Sequence, residues 1–188
     1  MPMTTLISGM CRRFARDERG TASLEFVLIF PIFFGFFLMT YESGMISARH
    51  VMLERGVDIA VRDIRIGVID APTRAQLRTR ICDVALIIPD CERQLELELI
   101  RRDPASWVNV SNQVLCVDRG DIDKDNGALA STGNNQLMII RACVRINPAL
   151  PTTGIGKAIV DNNSGSAAGG SYALVSTAAF VVEPYRLE

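Results

Sequence analysis

The stretch that most constrains this chain is Gly20 to Tyr41, GTASLEFVLIFPIFFGFFLMTY. It holds six of the eight Phe in the protein, Phe26, Phe30, Phe33, Phe34, Phe36 and Phe37, and a single formal charge, Glu25. As a helix rising about 1.5 Å per residue it is roughly 33 Å long, enough to cross a hydrocarbon core of about 30 Å. The uncharged run from Phe26 to Tyr41 is only 16 residues, short of the ~20 that a span needs. The helix therefore crosses with Glu25 inside the apolar zone or holds Glu25 at its edge. Inside lipid a lone carboxylate costs about 2.5–3.5 kcal/mol on insertion scales, so there it needs a use and a partner; at the edge it simply reaches the headgroups.

The chain has 188 residues, room for one compact domain besides this segment. A net charge of −1 gives no basic field for nucleic acid. Of the five Cys, Cys11 precedes the apolar segment and Cys82, Cys91, Cys116 and Cys143 follow it. Four cysteines on one side of a membrane point to two disulfides in an oxidising compartment, with the odd one in the reducing cytoplasm. No pair has the C-x2-4-C spacing of a zinc site, and free thiols are the other alternative. No cofactor or metal is expected.

Met1 to Arg19 is a short leader in which Arg12, Arg13, Arg16 and Arg19 outnumber Asp17 and Glu18. Positive charge beside an apolar span favours the cytoplasmic side, which puts the N-terminus inside and the remainder outside, in the periplasm. An ordinary secretory signal is the competing reading, but no convincing A-x-A site follows; Ile46-Ser47-Ala48 is the nearest and is poor.

Beyond Glu42 the helical pattern continues. Ile46, His50, Leu53, Val57, Ala60 and Ile64 recur at three- and four-residue steps as one apolar stripe, with Arg49, Glu54, Arg55, Asp58, Arg62, Asp63 and Arg65 on the other faces. The spacing predicts one helix from the apolar segment to about Gly67, where it ends. Pro31 and Gly35 are places for a bend. A second helix is expected over Thr73–Ile88, ended by Pro89. The period then changes to two: strands are expected at Gln94–Arg101, Gln113–Asp118, Leu137–Asn147 and Ser171–Glu183, with a further short one or an edge at Trp107–Val110. Gly120–Gln136 reads as a surface loop, and one helical turn is expected near Ile155–Val160. The fold class is thus α+β: a long N-terminal transmembrane helix extending into a small periplasmic domain with a second helix and an antiparallel sheet. The hairpin-like link between two of the strands favours a Cys116–Cys143 bridge across neighbours, leaving Cys82 and Cys91 to pair locally; the other connectivities of four Cys stay open.

The junction at Gly20 is the most specific motif. A basic leader is followed by Gly20, then Thr21-Ala22-Ser23-Leu24, then Glu25-Phe26 and the Phe-rich run. Glycine before a cut lets an extended backbone enter a protease at the membrane face, because no Cβ blocks its approach. This arrangement resembles the class III signal of pilins and pseudopilins. Glu25-Phe26-Val27-Leu28-Ile29-Phe30-Pro31, followed by Glu42 and Gly44, is more closely similar to the TadE-like family of tight-adherence (Flp) pilus systems. The close resemblance covers about residues 12–45; the remainder matches in outline, with a long helix, a few Cys and a late Glu183-Pro184.

The resemblance implies cleavage after Gly20 by a prepilin peptidase, freeing the amine of Thr21. It implies that Glu25, beside Phe26, meets the N-terminal amine of a neighbouring subunit. Phe30, Pro31, Phe33, Phe34 and Phe37 would form the membrane and helix-packing surface. The expected organisation is a cleaved leader at 1–20, a membrane segment at 21–42, a periplasmic extension of the same helix at 43–70 and an α+β domain at 71–188. Expected partners are the peptidase, other pilins or pseudopilins of the same system and the inner membrane, with no nucleic acid. An uncleaved single-pass envelope anchor with a partner-binding outer domain is the alternative.

Other motifs are weaker. Asp121, Asp123 and Asp125 begin like a calcium loop, but Asn126 and Thr132 stand where Gly and Glu belong, so a solvated acidic turn is expected. His50 has no metal or nucleophile companion and reads as a helix-surface or packing residue. Trp107 reads as a core or partial-core aromatic. No phosphate loop or catalytic triad is present in the pattern, and no enzymatic activity is expected.

Overall fold

A computed structural model of the chain describes residues 21–106, 108–117, 128–151, 153–163 and 170–184. Its contacts divide the chain into two units, Met1–Thr40 and Tyr41–Glu188. Helix α1, Thr21–Arg65, supplies the described part of the first unit and continues into the second. Within the first unit its apolar side chains are exposed almost without exception. Rings of Phe26, Phe30, Phe34 and Phe37 stack in sequence at centroid separations of 5.0, 5.6 and 6.4 Å. An 18-residue window of α1 has a mean hydropathy of 2.0 with none of it buried, so by length and composition this helix can cross a membrane. Pro31 lies inside it, and proline is tolerated in such helices.

The second unit is an α+β domain. After α1 come α2, Arg74–Cys82, a single turn α3, Cys91–Gln94, and strands β1, Leu95–Arg102, and β2, Leu137–Ile146; α4, Gly154–Asn163, precedes β3, Tyr172–Val181. The sheet has three strands in the order β1-β2-β3, all antiparallel, with Leu97 opposite Ala142 and Ala142 opposite Ser176. Leu53, Val57, Ala60 and Ile64 of α1 and Leu77 and Ile81 of α2 pack with Leu95, Leu97, Leu99, Ile140, Val144 and Tyr172 in one core. β2 is central and is buried on both faces, whereas β1 alternates leucine with Glu96 and Glu98.

Local chemistry explains the element ends. α1 stops in a Schellman motif: Gly67 has φ 75°, its N–H donates to Ile64 O, and Val68 N–H donates to Asp63 O. Thr73 opens α2 with a capping box to Gln76. The α2 N-terminus then sends Arg74 and Arg78 to Glu96, whose carboxylate is only 1% exposed. Paired charge makes that burial tolerable.

Three expectations need correction. The second helix does not reach Ile88 but ends at Cys82, followed by turns in which Ala85 N–H donates to Ile81 O and Ile88 N–H to Ala85 O. A helix kept to Ile88 would carry the chain about 9 Å beyond Cys82, away from Cys91, to which Cys82 is bonded at a Cα separation of 5.7 Å. The turns still bury Ala85 and Ile88.

Second, 113–117 is not a strand, nor is 108–110. Both edges of β2 are already paired. The carbonyls of Ser111 and Gln113 instead accept from the Arg141 guanidinium at 2.7 and 2.6 Å. Cys116 therefore reaches Cys143 of the central strand from over one sheet face and not from a neighbouring strand. Third, the single turn expected near Ile155–Val160 is a ten-residue helix, α4.

Gly56 marks a close approach of α1 and α2: a Cβ there would lie 2.7 Å from Ile81 O. In an ordinary helix interior Gly→Ala gains about 1 kcal/mol. Gly56→Ala is expected to do the opposite and lower the unfolding midpoint, measured by denaturant titration of the full chain in detergent.

Candidate functional site

The residues expected to be processed or to pair in the membrane are grouped at the start of α1. Thr21 is its first residue. Gly20, the leader, Cys11, Trp107 and the 121–127 acidic segment lie outside the described residues. Glu25 is exposed, on a helix surface where it shares a shallow groove with Phe26, Ile29, Phe30 and Phe33. Phe33, Phe34 and Phe37 are exposed on the same helix. An apolar surface with one carboxylate near its end offers helix packing and a single acceptor for a cation; it offers no acid–base pair. Among the described residues no group of three or more His, Cys, Asp or Glu could hold a metal ion.

In the second unit the side chains that organise the structure are polar members of the α1 seam. Glu42 is fully buried. Its two oxygens accept the backbone N–H of Ala149 at 2.9 Å and of Leu150 at 2.8 Å. The local sequence Asn147-Pro148-Ala149-Leu150-Pro151 explains the need: the prolines carry no N–H, and the two N–H groups between them have no strand to join. Leu150 O in turn accepts from Thr153 Oγ1, and Thr153 Oγ1 accepts Gly156 N–H in the first turn of α4. Arg49 Nη1 donates to Asn147 O at 3.3 Å and to Tyr172 Oη at 3.1 Å. Glu42 and Arg49 thus hold both ends of one loop, and through it the start of α4.

Sequence reasoning placed Arg49 and Asp63 on exposed faces; Arg49 is 8% and Asp63 9% exposed. The signal was present in the spacing. Positions 42, 46, 49, 53, 57, 60 and 64 form one unbroken three-and-four pattern, in which a buried acid and a buried base occupy apolar sites. Asp63 takes Arg80 Nε at 2.6 Å, tying α1 to α2. The Asp63 hydrogen bond and charge raise the Arg80 pKa above its ordinary value, so this guanidinium stays charged. His50 is half-buried, with its Nε2 3.1 Å from Val175 O. Bridges Cys82–Cys91 and Cys116–Cys143 close segments of 9 and 27 residues, and each such bond typically contributes about 2–4 kcal/mol.

Glu42→Ala removes the acceptor of two N–H groups and is expected to lower unfolding free energy by about 1–3 kcal/mol for each group left unpaired. Glu42→Gln, which keeps one acceptor oxygen, is expected to lose less. Denaturant titration of the three proteins side by side measures the difference.

No curated protein and no solved structure matches this chain. Residues 20–62 match the TadE family model, described as TadE-like protein, and the segment formed by Gly20 and nearly all of α1 is therefore TadE-like.

Proposed function

We propose that the chain is a minor pilin or pseudopilin of a tight-adherence (Flp-type) pilus system, acting by assembly and not by catalysis. The observation that carries this reading is the TadE-like match, which begins at residue 20 and runs along α1. It associates the chain with Tad pilus components, and the finer steps follow from the residues. In this reading the leader lies in the cytoplasm, α1 crosses the inner membrane and the disulfide-bonded domain lies in the periplasm. Two disulfides in that domain accord with an oxidising compartment.

A prepilin peptidase cuts after Gly20, where absence of a Cβ opens the backbone to the protease. The new ammonium of Thr21 is a cation that exists only after cleavage. Glu25 of an adjacent subunit is its partner, because an isolated carboxylate at membrane depth is costly and a paired one is less so. Processing thereby licenses assembly. Phe26, Phe30, Phe34 and Phe37, stacked along the helix, are the surface stored in lipid and packed in the assembly.

Two variants in cells test the steps separately. Gly20→Ala is expected to accumulate unprocessed chain on an immunoblot; unchanged processing would remove the assignment of the cut to that bond. Glu25→Ala is expected to be processed normally yet to impair piliation, scored by electron microscopy. Normal piliation in that variant contradicts the amine pairing.

A further inference from the structure

The two disulfides close segments that are held in different ways. Segment 83–90, between Cys82 and Cys91, has support of its own. Asp83 N–H donates to Thr79 O, Ala85 N–H to Ile81 O and Ile88 N–H to Ala85 O. Ala85 and Ile88 are buried, and both cysteines pack with the main core. Segment 108–117, tied to β2 by Cys116–Cys143, has little. Among the described residues none of its N–H or C=O groups joins a backbone–backbone hydrogen bond. Its hydrogen bonds to the sheet come from Arg141, to Ser111 O and Gln113 O. Val117 is its one buried residue and lies outside the main core. A segment with so few buried contacts and a water-exposed backbone opens locally at low free energy.

The bond also joins unlike partners. Cys143 is 0% exposed in the central strand, whereas Cys116 is half-buried on the loosely held segment. A thiolate can therefore meet Cys116 Sγ without parting two strands. Arg141 and Arg145 stand two residues to either side of Cys143, on the same face of β2. Positive charge nearby favours the thiolate form of a departing cysteine.

We propose that Cys116–Cys143 is a thiol–disulfide exchange site of the folded domain, opened by a dithiol at Cys116 to release segment 108–117 while the core of α1, α2 and the sheet stays intact. In the first step a dithiol thiolate attacks Cys116 Sγ. A mixed disulfide forms, the Cys116–Cys143 bond breaks, and its electron pair leaves on Cys143 Sγ, which takes a proton from water. The second thiol, as thiolate, then attacks the mixed disulfide and frees Cys116, which is protonated in turn. The dithiol ends as a disulfide and the cystine as two thiols. Release uncovers the face of β2 that carries Ile139 and Cys143. Cys82–Cys91 is not opened, because its segment stays bonded and buried. The proposal goes beyond the pilus reading and does not depend on leader cleavage.

The test uses the full chain in detergent with Cys11→Ser, which leaves no cysteine outside the two disulfides. Dithiothreitol is added under native conditions, samples are quenched with excess N-ethylmaleimide in denaturant, and the labelled cysteines are read by peptide mass spectrometry. Cys116–Cys143 is expected to open at least about tenfold faster than Cys82–Cys91. At that stage the far-ultraviolet spectrum is expected to be unchanged. Deuterium uptake is expected to rise in 108–117 and not in β1, β2 or β3. Cys116→Ser cuts the bond without altering the buried position. It is expected to show the same uptake without reductant, and to expose Cys143 to N-ethylmaleimide in the folded protein. Reduced thioredoxin in place of dithiothreitol separates the sources of the dithiol. Exchange with both supports the proposal, and exchange with dithiothreitol alone supports it with the donor restricted to small thiols. Opening of both bonds at one rate with loss of strand protection overturns it, as does earlier opening of Cys82–Cys91. So does a segment 108–117 that keeps its protection once Cys116–Cys143 is reduced.

Discussion

The second unit depends on the buried seam of α1. Leu53, Val57, Ala60 and Ile64 of that seam are almost completely excluded from water and meet the leucine face of β1 and the even-numbered face of β2. Hydrophobic burial supplies the driving force but has no direction. Direction comes from the polar members of the same seam. Glu42 accepts the two N–H groups of a proline-flanked loop, and Arg49 donates to the preceding carbonyl, Asn147 O, and to the Tyr172 hydroxyl oxygen. Because unpaired buried polar groups are costly, α1 cannot rotate or slide in its register without losing both contacts. Asp63 with Arg80 and the close contact at Gly56 apply the same restriction from the α2 side.

Similar logic holds the far side of the sheet. β2 is covered on both faces, yet segment 108–117 that covers one of them has no regular structure. It is held by Arg141, which reaches two of its carbonyls and also Glu98, and by the Cys116–Cys143 bond two residues further along the same strand face. A covalent link and an arginine fork thus replace a ladder. A sheet of three strands has little area to bury, and such small cores commonly rely on disulfides.

Periodicity made much of this legible. The Phe-rich run, the change to a period of two at Leu95 and the long alternation through Leu137–Ile146 each announce their element. The Gly20–Glu25–Phe26 junction carries the family resemblance by its local spacing, and the TadE-like match covers the same segment. What failed was non-local. Val114 and Val117 form a strand-like run, but whether it joins a sheet depends on where tertiary contacts hold it, and Arg141 and the Cys116–Cys143 bond tie it to the face of β2. The apolar residues Val84, Ala85 and Ile88 fit a helix, but Cys82 and Cys91 require a reversal that helical spacing does not show. Glu42 and Arg49 were hidden because each is polar at an apolar position, a pattern that makes sense only once the 147–151 loop is known to lie against it.

The central claim is that this helix becomes a pilin-like subunit by losing its leader, and the mature N-terminus tests it most directly. Intact mass and N-terminal sequencing of the protein isolated from membranes, with and without reductant, read both the cut and the two bridges. The account predicts a chain starting at Thr21 that gains the mass of two reduced disulfides on treatment. A start at Met1 would leave an uncleaved anchor, and a start beyond Tyr41 a domain released from its helix; either contradicts the claim.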